Sequence, residues 1–411
     1  MLRKPALISS VTPDSALQSQ ALADHTRYES ILDNYADSQI KALASQADLT
    51  AIVFVNADSG EGYISVDGNE GDRNNLTLWH SGDALIKNVS SLCNNTIVVI
   101  HSTGPVLVTD WYNSTNVTAI LWAGVPGEES GNSITDVLYG KVNPAARTPF
   151  TWGATRASYG TDVLYEPNNG INAPQQDFTE GVFIDYRYFD KTNSTPLYEF
   201  GYGLSYTTFN YSNLVIKSAG AGNYTPTTGM TAPAPVLGNY STNLADYLFP
   251  NASFRHVWQY IYPYLNSTDA KTAANEPNYG QTAAEFLPAH ATDGSPQPLL
   301  AAGGASGGNS ELWDVLYTVT ATITNTGKLD GEEVPQLYLS LGGTNDPKVM
   351  LRGFDRLSID AGMSATFSAD ILRRDVSNWD PVAQNWVISQ YPKTVYVGSS
   401  SRKLFLSGKL T

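Results

Sequence analysis

The chain is poor in cysteine, in charge and in long apolar runs, and each scarcity excludes something. A lone Cys93 among 411 residues permits no intrachain disulfide and no cysteine-built metal site. It falls in phase with Leu85, Val89 and Leu92, which predicts a buried thiol on a helix face. Only 15% of residues are charged while 42% are hydrophobic, so the chain is globular and not disordered. Positive charge is the scarcer sign: 24 Lys and Arg against 39 Asp and Glu give a net −15. With no basic cluster anywhere, neither nucleic acid nor an anionic membrane surface is expected as a partner. No apolar stretch approaches the length of a membrane span.

Asn-x-Ser/Thr tripeptides, by contrast, are abundant. Asn75, Asn88, Asn94, Asn113, Asn116, Asn193, Asn210, Asn223, Asn239, Asn251 and Asn266 each begin one, and so many in one chain predict a surface made for a secretory pathway. The start, Met1-Leu2-Arg3-Lys4-Pro5-Ala6, lacks the apolar core of a signal peptide. A secreted body with this start is expected to be a chain missing its natural N-terminal part.

Three compositions follow one another. Thr12-Pro13-Asp14 carries a capping hydroxyl, a first-turn proline and an acid suited to the helix dipole. Helical sequence continues, with a break, towards Ala47. A buried strand follows at Leu49–Val55, a helix at Gly82–Cys93, strands at Thr96–Ile100 and Val117–Trp122, and a helix at Ser133–Tyr139. Helices alternating with apolar strands predict an α/β sandwich, a mostly parallel sheet flanked by helices, over residues 1–209. Residues 210–311 turn to Ala, Gly, Pro, Ser, Thr, Asn and Tyr without periodicity, which predicts a long irregular insertion or linker. Its Tyr247, Trp258, Tyr260, Tyr262 and Tyr264 predict that part of it packs on the protein. Residues 312–411 alternate over Tyr317–Thr324 and Val334–Ser340, with further strands at Ala365–Leu372, Trp386–Ser389 and Thr394–Gly398, the pattern of an all-β sandwich.

The chemistry gathers at Asn56-Ala57-Asp58-Ser59-Gly60-Glu61-Gly62-Tyr63. A carboxylate between two glycines, just past a buried strand, stands where open α/β sheets hold their ligands, and the glycines let the backbone turn and a substrate approach. Spacing alone favours a solvated turn residue, because most loop carboxylates have no catalytic task. A serine hydrolase built on Ser59 and His101 lacks the Gly-x-Ser-x-Gly elbow, so His101 is read as a satisfied polar residue at a strand end. Asp67-Gly68-Asn69-Glu70-Gly71-Asp72 misplaces the glycine and the closing glutamate of a calcium loop. No metal and no cofactor are expected. Asp72 and Arg73 are candidates for an ion pair that holds the Glu61 loop.

Several linked segments carry a resemblance to a known family. They are Val53–Tyr63, Gly68–Leu76, Trp122–Asn132, Asn143–Trp152, Tyr198–Tyr206, Asn325-Thr326-Gly327 and Glu333–Tyr338. Together, in order from about Val11 to the end, they resemble the C-terminal half of fungal β-glucosidases of glycoside hydrolase family 3. The resemblance implies an α/β sandwich followed by a fibronectin type III-like domain, with an N-terminal (β/α)8 barrel absent from these residues. It implies a retaining enzyme that releases glucose from the non-reducing ends of β-glucosides, cellobiose included, and so serves cellulose degradation. Glu61 matches the family's acid/base. Tyr63 matches an aromatic position on the aglycone side of the pocket, and Ser59 is assigned with it to substrate binding. The nucleophilic Asp belongs to the barrel, so the chain alone is expected to be inactive. It is also expected to self-associate through the face that packs on the barrel. Met1–Ser10 does not resemble the pocket-bordering loop of the family. A non-catalytic secreted glycoprotein derived from such an enzyme, or a β-xylosidase of the same family, are the alternatives.

Overall fold

A computed structural model describes residues 10–60, 65–66, 69–164, 176–233 and 293–411. Glu61, Tyr63, Asn239, Asn251, Asn266 and the aromatic residues from Tyr247 to Tyr264 lie outside the described residues.

The first half opens with α1 (Pro13–Asp24), whose Thr12 hydroxyl accepts from Ser15 N and ends the run of orphan amides. His25 closes the helix in the left-handed region. After α2 (Asp37–Ala44) comes β1 (Ala51–Ala57), then two short strands, β2 (Ser65–Val66) and β3 (Asn69–Glu70). α3 (Gly82–Ser90), β4 (Thr96–Ser102), β5 (Val117–Trp122), α4 (Ser130–Leu138) and α5 (Tyr186–Lys191) complete it. β1, β4 and β5 form one parallel sheet in that order, with Ala51 opposite Thr96 and Ala57 opposite Ser102. Their apolar β-branched sequence suits a sheet covered by helices. Val53, Val55, Ala57, Val98 and Ile100 pack with Ile40 and Ala44 of α2, Ile86 and Val89 of α3, and Trp111 and Trp152. Cys93 is buried against this core, just past the end of α3, with its Sγ near the Leu49 and Asn95 carbonyls. α1 and α4 pack on each other, joined by Val11, whose carbonyl accepts from Gly131 N at 2.8 Å.

The second half is all β. β6 (Phe209–Ser218), β7 (Val315–Asn325), β8 (Gly331–Glu333), β9 (Gln336–Ser340), β10 (Met350–Phe354), β11 (Leu357–Ile359), β12 (Ser364–Leu372), β13 (Ser377–Asp380), β14 (Asn385–Ile388), β15 (Thr394–Gly398) and β16 (Leu404–Lys409) follow in turn. One antiparallel sheet runs β12-β7-β6 and another β10-β9-β15-β16. Val319, Ala321 and Ile323, alternate residues of β7, face Leu337, Leu339, Val395 and Val397 across a dry core with Phe367 and Ile371. Asn325 is fully buried, and its amide donates to Leu329 O and Ile359 O while its oxygen accepts from Thr207 and Gly327. β6 lies largely inside the stretch from residue 210 whose composition predicts irregular structure. Its alternation is weak, but it supplies an edge to the β7 sheet, with Phe209 opposite Asn325 and Ser218 opposite Tyr317. The all-β unit thus draws its first strand from before the long insertion.

Candidate active site

The C-terminal end of β1 runs into Asp58, Ser59 and Gly60, and the chain returns at Gly71, Asp72 and Arg73. Gly60 N donates to Gly71 O at 2.8 Å, closing the neck of the loop that carries Glu61. Ser59 Oγ donates to Asp72 Oδ1 at 3.4 Å across the same neck. Within the loop β2 and β3 pair as an antiparallel hairpin, Ser65 opposite Glu70 and Val66 opposite Asn69. The returning strand is then tied to the body at several points. Trp79 N donates to Asn56 O at 2.9 Å, Leu107 N donates to Leu76 O at 2.8 Å, and Arg156 Nη1 donates to Asn74 O at 2.9 Å. A closed neck on a tied base fixes where the loop leaves and rejoins the body.

Arg73 does not pair with Asp72. Its guanidinium is half-buried, with Nη2 donating to Pro105 O at 3.0 Å, and Nη1 has no partner among the described residues. Burial lowers its pKa, while the nearby Tyr159 and Asp58 act in the opposite sense. Tyr159 is itself fixed: its hydroxyl donates to Thr151 O and accepts from Gly153 N, both at 3.0 Å. Burial raises its pKa, so it stands there as a neutral phenol. On the other side of Asp58, His101 stacks on Phe54 with ring centroids 6.2 Å apart. Burial lowers the His101 pKa against the pull of Asp58, and Nε2 has no partner among the described residues. His101 is therefore not the satisfied strand-end residue expected. It lines, with Phe54, Asn56, Leu32, Tyr35 and His80, an open groove of about 410 Å3 beside β1.

The structure thus brings Ser59 and Asp72 together and separates Arg73 from Asp72. Asp58, Tyr159 and Arg156 belong to the same frame and were missed by sequence reasoning. Tyr159 and Arg156 lie on a 3-10 turn far along the chain, and no local pattern connects them to the β1 loop. Among the glycosylation candidates, Asn75, Asn94, Asn113, Asn193, Asn210 and Asn223 are exposed, and Asn88 and Asn116 are half-buried. The Asn116 amide nitrogen is committed to Ser90 O at 2.7 Å.

Three of the linked sequence segments meet elsewhere, at the junction of the two domains. Arg147 Nη2 pairs with Glu333 Oε2 at 2.9 Å, with side chains only 7% and 4% exposed. The second Glu333 oxygen accepts from Tyr211 at 2.8 Å. Gln336 Nε2 donates to the carbonyls of Gly201 and Ser399, and its oxygen accepts from Tyr338 at 2.6 Å. Gly201 holds φ at +78°, and a Cβ there would stand 2.2 Å from the Gln336 oxygen, so that position admits only glycine. These segments build the seam between domains and not the pocket.

Residues 5–206 match the Glycosyl hydrolase family 3 C-terminal domain, and residues 333–401 match the Fibronectin type III-like domain. The chain is 58% identical to a probable β-glucosidase A of Aspergillus fumigatus over 402 residues, 97% of this chain and 46% of that protein. It is also 58% identical to β-glucosidase 1 of Aspergillus aculeatus over 400 residues, with the same coverage. Among solved structures, a glycoside hydrolase family 3 β-glucosidase from Neurospora crassa superposes with a TM-score of 0.83 at 66% identity, covering 98% of this chain and 48% of that one. A Chaetomium thermophilum β-glucosidase does so with a TM-score of 0.83 at 62% identity, with the same coverage. The chain spans about half the length of the curated relatives it matches.

Proposed function

Since the chain joins a glycosyl hydrolase family 3 C-terminal domain to a fibronectin type III-like domain, we propose that it supplies the acid/base half of a retaining β-glucosidase site. The observation that supports this reading is the neck closed between Gly60 and Gly71 just past the C-terminal end of a parallel strand, the position where open α/β sheets take ligands and where the sequence carries Glu61. In the proposed reaction a carboxylate of the barrel domain attacks the anomeric carbon of a β-glucoside. Glu61 gives its proton to the departing glycosidic oxygen as that bond breaks. Glu61, now ionised, takes a proton from water, whose oxygen displaces the enzyme carboxylate and releases glucose. Tyr63 is assigned to the aglycone side by its match to the family's aromatic position, and Ser59 to substrate binding. Asp72 holds Ser59, and Arg73 with Asp58 and Tyr159 stiffens the base of the loop.

Retaining chemistry needs both carboxyl groups about 5–5.5 Å apart, so the 411-residue chain alone should turn over aryl β-glucosides negligibly. The test joins the chain to the barrel of a relative and compares Glu61→Gln with the parent. Poor leaving groups should lose nearly all turnover, and activated aryl glucosides far less, because they depart without protonation. Equal loss on both would remove Glu61 from the acid/base role. Turnover by the isolated chain within about tenfold of the chimera would overturn the need for a second domain. Secretion is proposed on the sequons, and a mass shift on deglycosylation of the secreted chain is the check.

A further inference from the structure

A second concavity lies at the domain junction, far along the sequence from the Glu61 loop. It encloses about 260 Å3 and is lined by Asp190 at the end of α5 and Asn193 just past it, Lys348 and Val349 before β10, Ser401 and Arg402 between β15 and β16, and Leu404 at the start of β16. Arg402 Nη2 spans the seam, donating to Asp190 Oδ1 at 3.0 Å and to Ser194 O at 2.8 Å. Ser401 is 3% exposed, yet its hydroxyl has no hydrogen-bond partner among the described residues. A buried hydroxyl left unmatched is costly, and here it lines a pocket whose other walls offer cationic donors and two aliphatic side chains. That mixture suits a sugar, which presents hydroxyl and amide groups around an apolar C–H face. The volume falls below the ~300–1,000 Å3 of drug-sized ligand sites, so one monosaccharide fits and a branched chain does not. Asn193 lines this same pocket, is exposed, and begins Asn193-Ser194-Thr195.

We propose that the pocket is the seat of the first N-acetylglucosamine of a glycan on Asn193, which thereby staples the two domains. Attachment joins the Asn193 amide nitrogen to the sugar's anomeric carbon. The bond from that carbon to the diphosphate of a lipid-linked saccharide donor breaks, the lipid diphosphate leaves, and the amide proton lost from Asn193 passes to it through solvent. Ser401, Arg402 and Lys348 then hydrogen-bond the seated sugar, and Val349 and Leu404 cover its apolar face. The inference rests on the secreted reading above, and its test separates the two.

The full chain, given a leader and secreted from yeast, is mapped for glycan at each sequon and melted. Thr195→Ala removes the Asn193 sequon without touching Asn193, and Thr115→Ala serves as a control at Asn113. Thr195→Ala should lower Tm by about 2–4 °C and Thr115→Ala should not. Trimming with an endoglycosidase that leaves one sugar should preserve Tm. Ser401→Ala should destabilise the glycosylated chain but not the Thr195→Ala chain, and material made in bacteria should show no Thr195→Ala effect. A bare Asn193 beside other occupied sequons overturns the seat and leaves secretion standing, whereas bare sequons throughout overturn both. An unchanged Tm in Thr195→Ala, or strictly additive Ser401 and Thr195 effects, also overturns the seat.

Discussion

His101 illustrates how one residue records its surroundings as pH dependence. Its imidazole is stacked on Phe54 and held below its ordinary value of 6.5 by burial, which outweighs the pull of Asp58. In the unfolded chain it takes up a proton as pH falls through 6.5, and in the folded chain only at lower pH. The unfolded state therefore binds more protons over that interval, and stability should fall as pH drops below 6.5 until the depressed folded value is reached. Denaturant melts of the parent and of His101→Gln from pH 8 to pH 5 check this. The parent should lose stability over the lower part and the variant should lose less, whereas parallel curves would show that His101 does not titrate this way. Nothing in the sequence around His101 marks this behaviour, because the ring it stacks on comes from β1 and the carboxylate from the loop beyond. Glu61 is the opposite case. Strand, glycine and carboxylate are contiguous, so the candidate stands out in the sequence, and the resemblance supplies the role proposed for it.

Among elements, those defined by contiguous chemistry were legible. β5 and β15 begin and end at the residues that composition predicts, Val117–Trp122 and Thr394–Gly398. α1 begins after the Thr12 cap as its signals require. β6 was not legible, since its stability comes from pairing with β7 across the long insertion and not from its own pattern. α4 starts at Ser130, ahead of the expected Ser133, because the 3-10 turn Gly127–Glu129 feeds directly into it. The loop neck depends on geometry no pattern encodes: Gly71 is buried at φ +94° while its carbonyl receives Gly60 N. An alanine there must leave that region or hold a strain of about 1–2 kcal/mol. In the barrel-bearing chimera, Gly71→Ala should lower kcat severalfold with little change in circular dichroism or global melting, because only the loop is displaced. Full activity in that variant would mean that the neck is not what positions the tip.

At the scale of the whole molecule the domain seam and the open sheet edge make opposite demands. The seam is closed by the Arg147–Glu333 pair, with Tyr211 on the second carboxylate oxygen. Removing only the cation leaves a buried charge without its partner, so Arg147→Ala should cost about 3–5 kcal/mol and split one denaturation transition into two. Arg147→Met with Glu333→Leu should recover most of that loss, and failure to do so would move the defect from charge to packing. The sheet edge is different. Among the described residues β1 pairs only with β4, and its outer side borders the groove where Leu32 is 82% and Tyr35 65% exposed. Trp79 N caps that side at Asn56 O, but an apolar strand at the edge of a sheet is a template for another chain, and exposed apolar side chains beside it favour association. The net charge of −15 opposes the approach of a second copy, but raising salt from about 0.1 M to 1 M shortens the screening length from about 10 Å to 3 Å. The isolated chain should therefore self-associate, more strongly as salt rises, and Leu32→Glu with Tyr35→Glu should suppress it. Light scattering across a salt series decides the matter: a monodisperse monomer at 1 M salt, or association unchanged in the double variant, would show that this edge is already blunted.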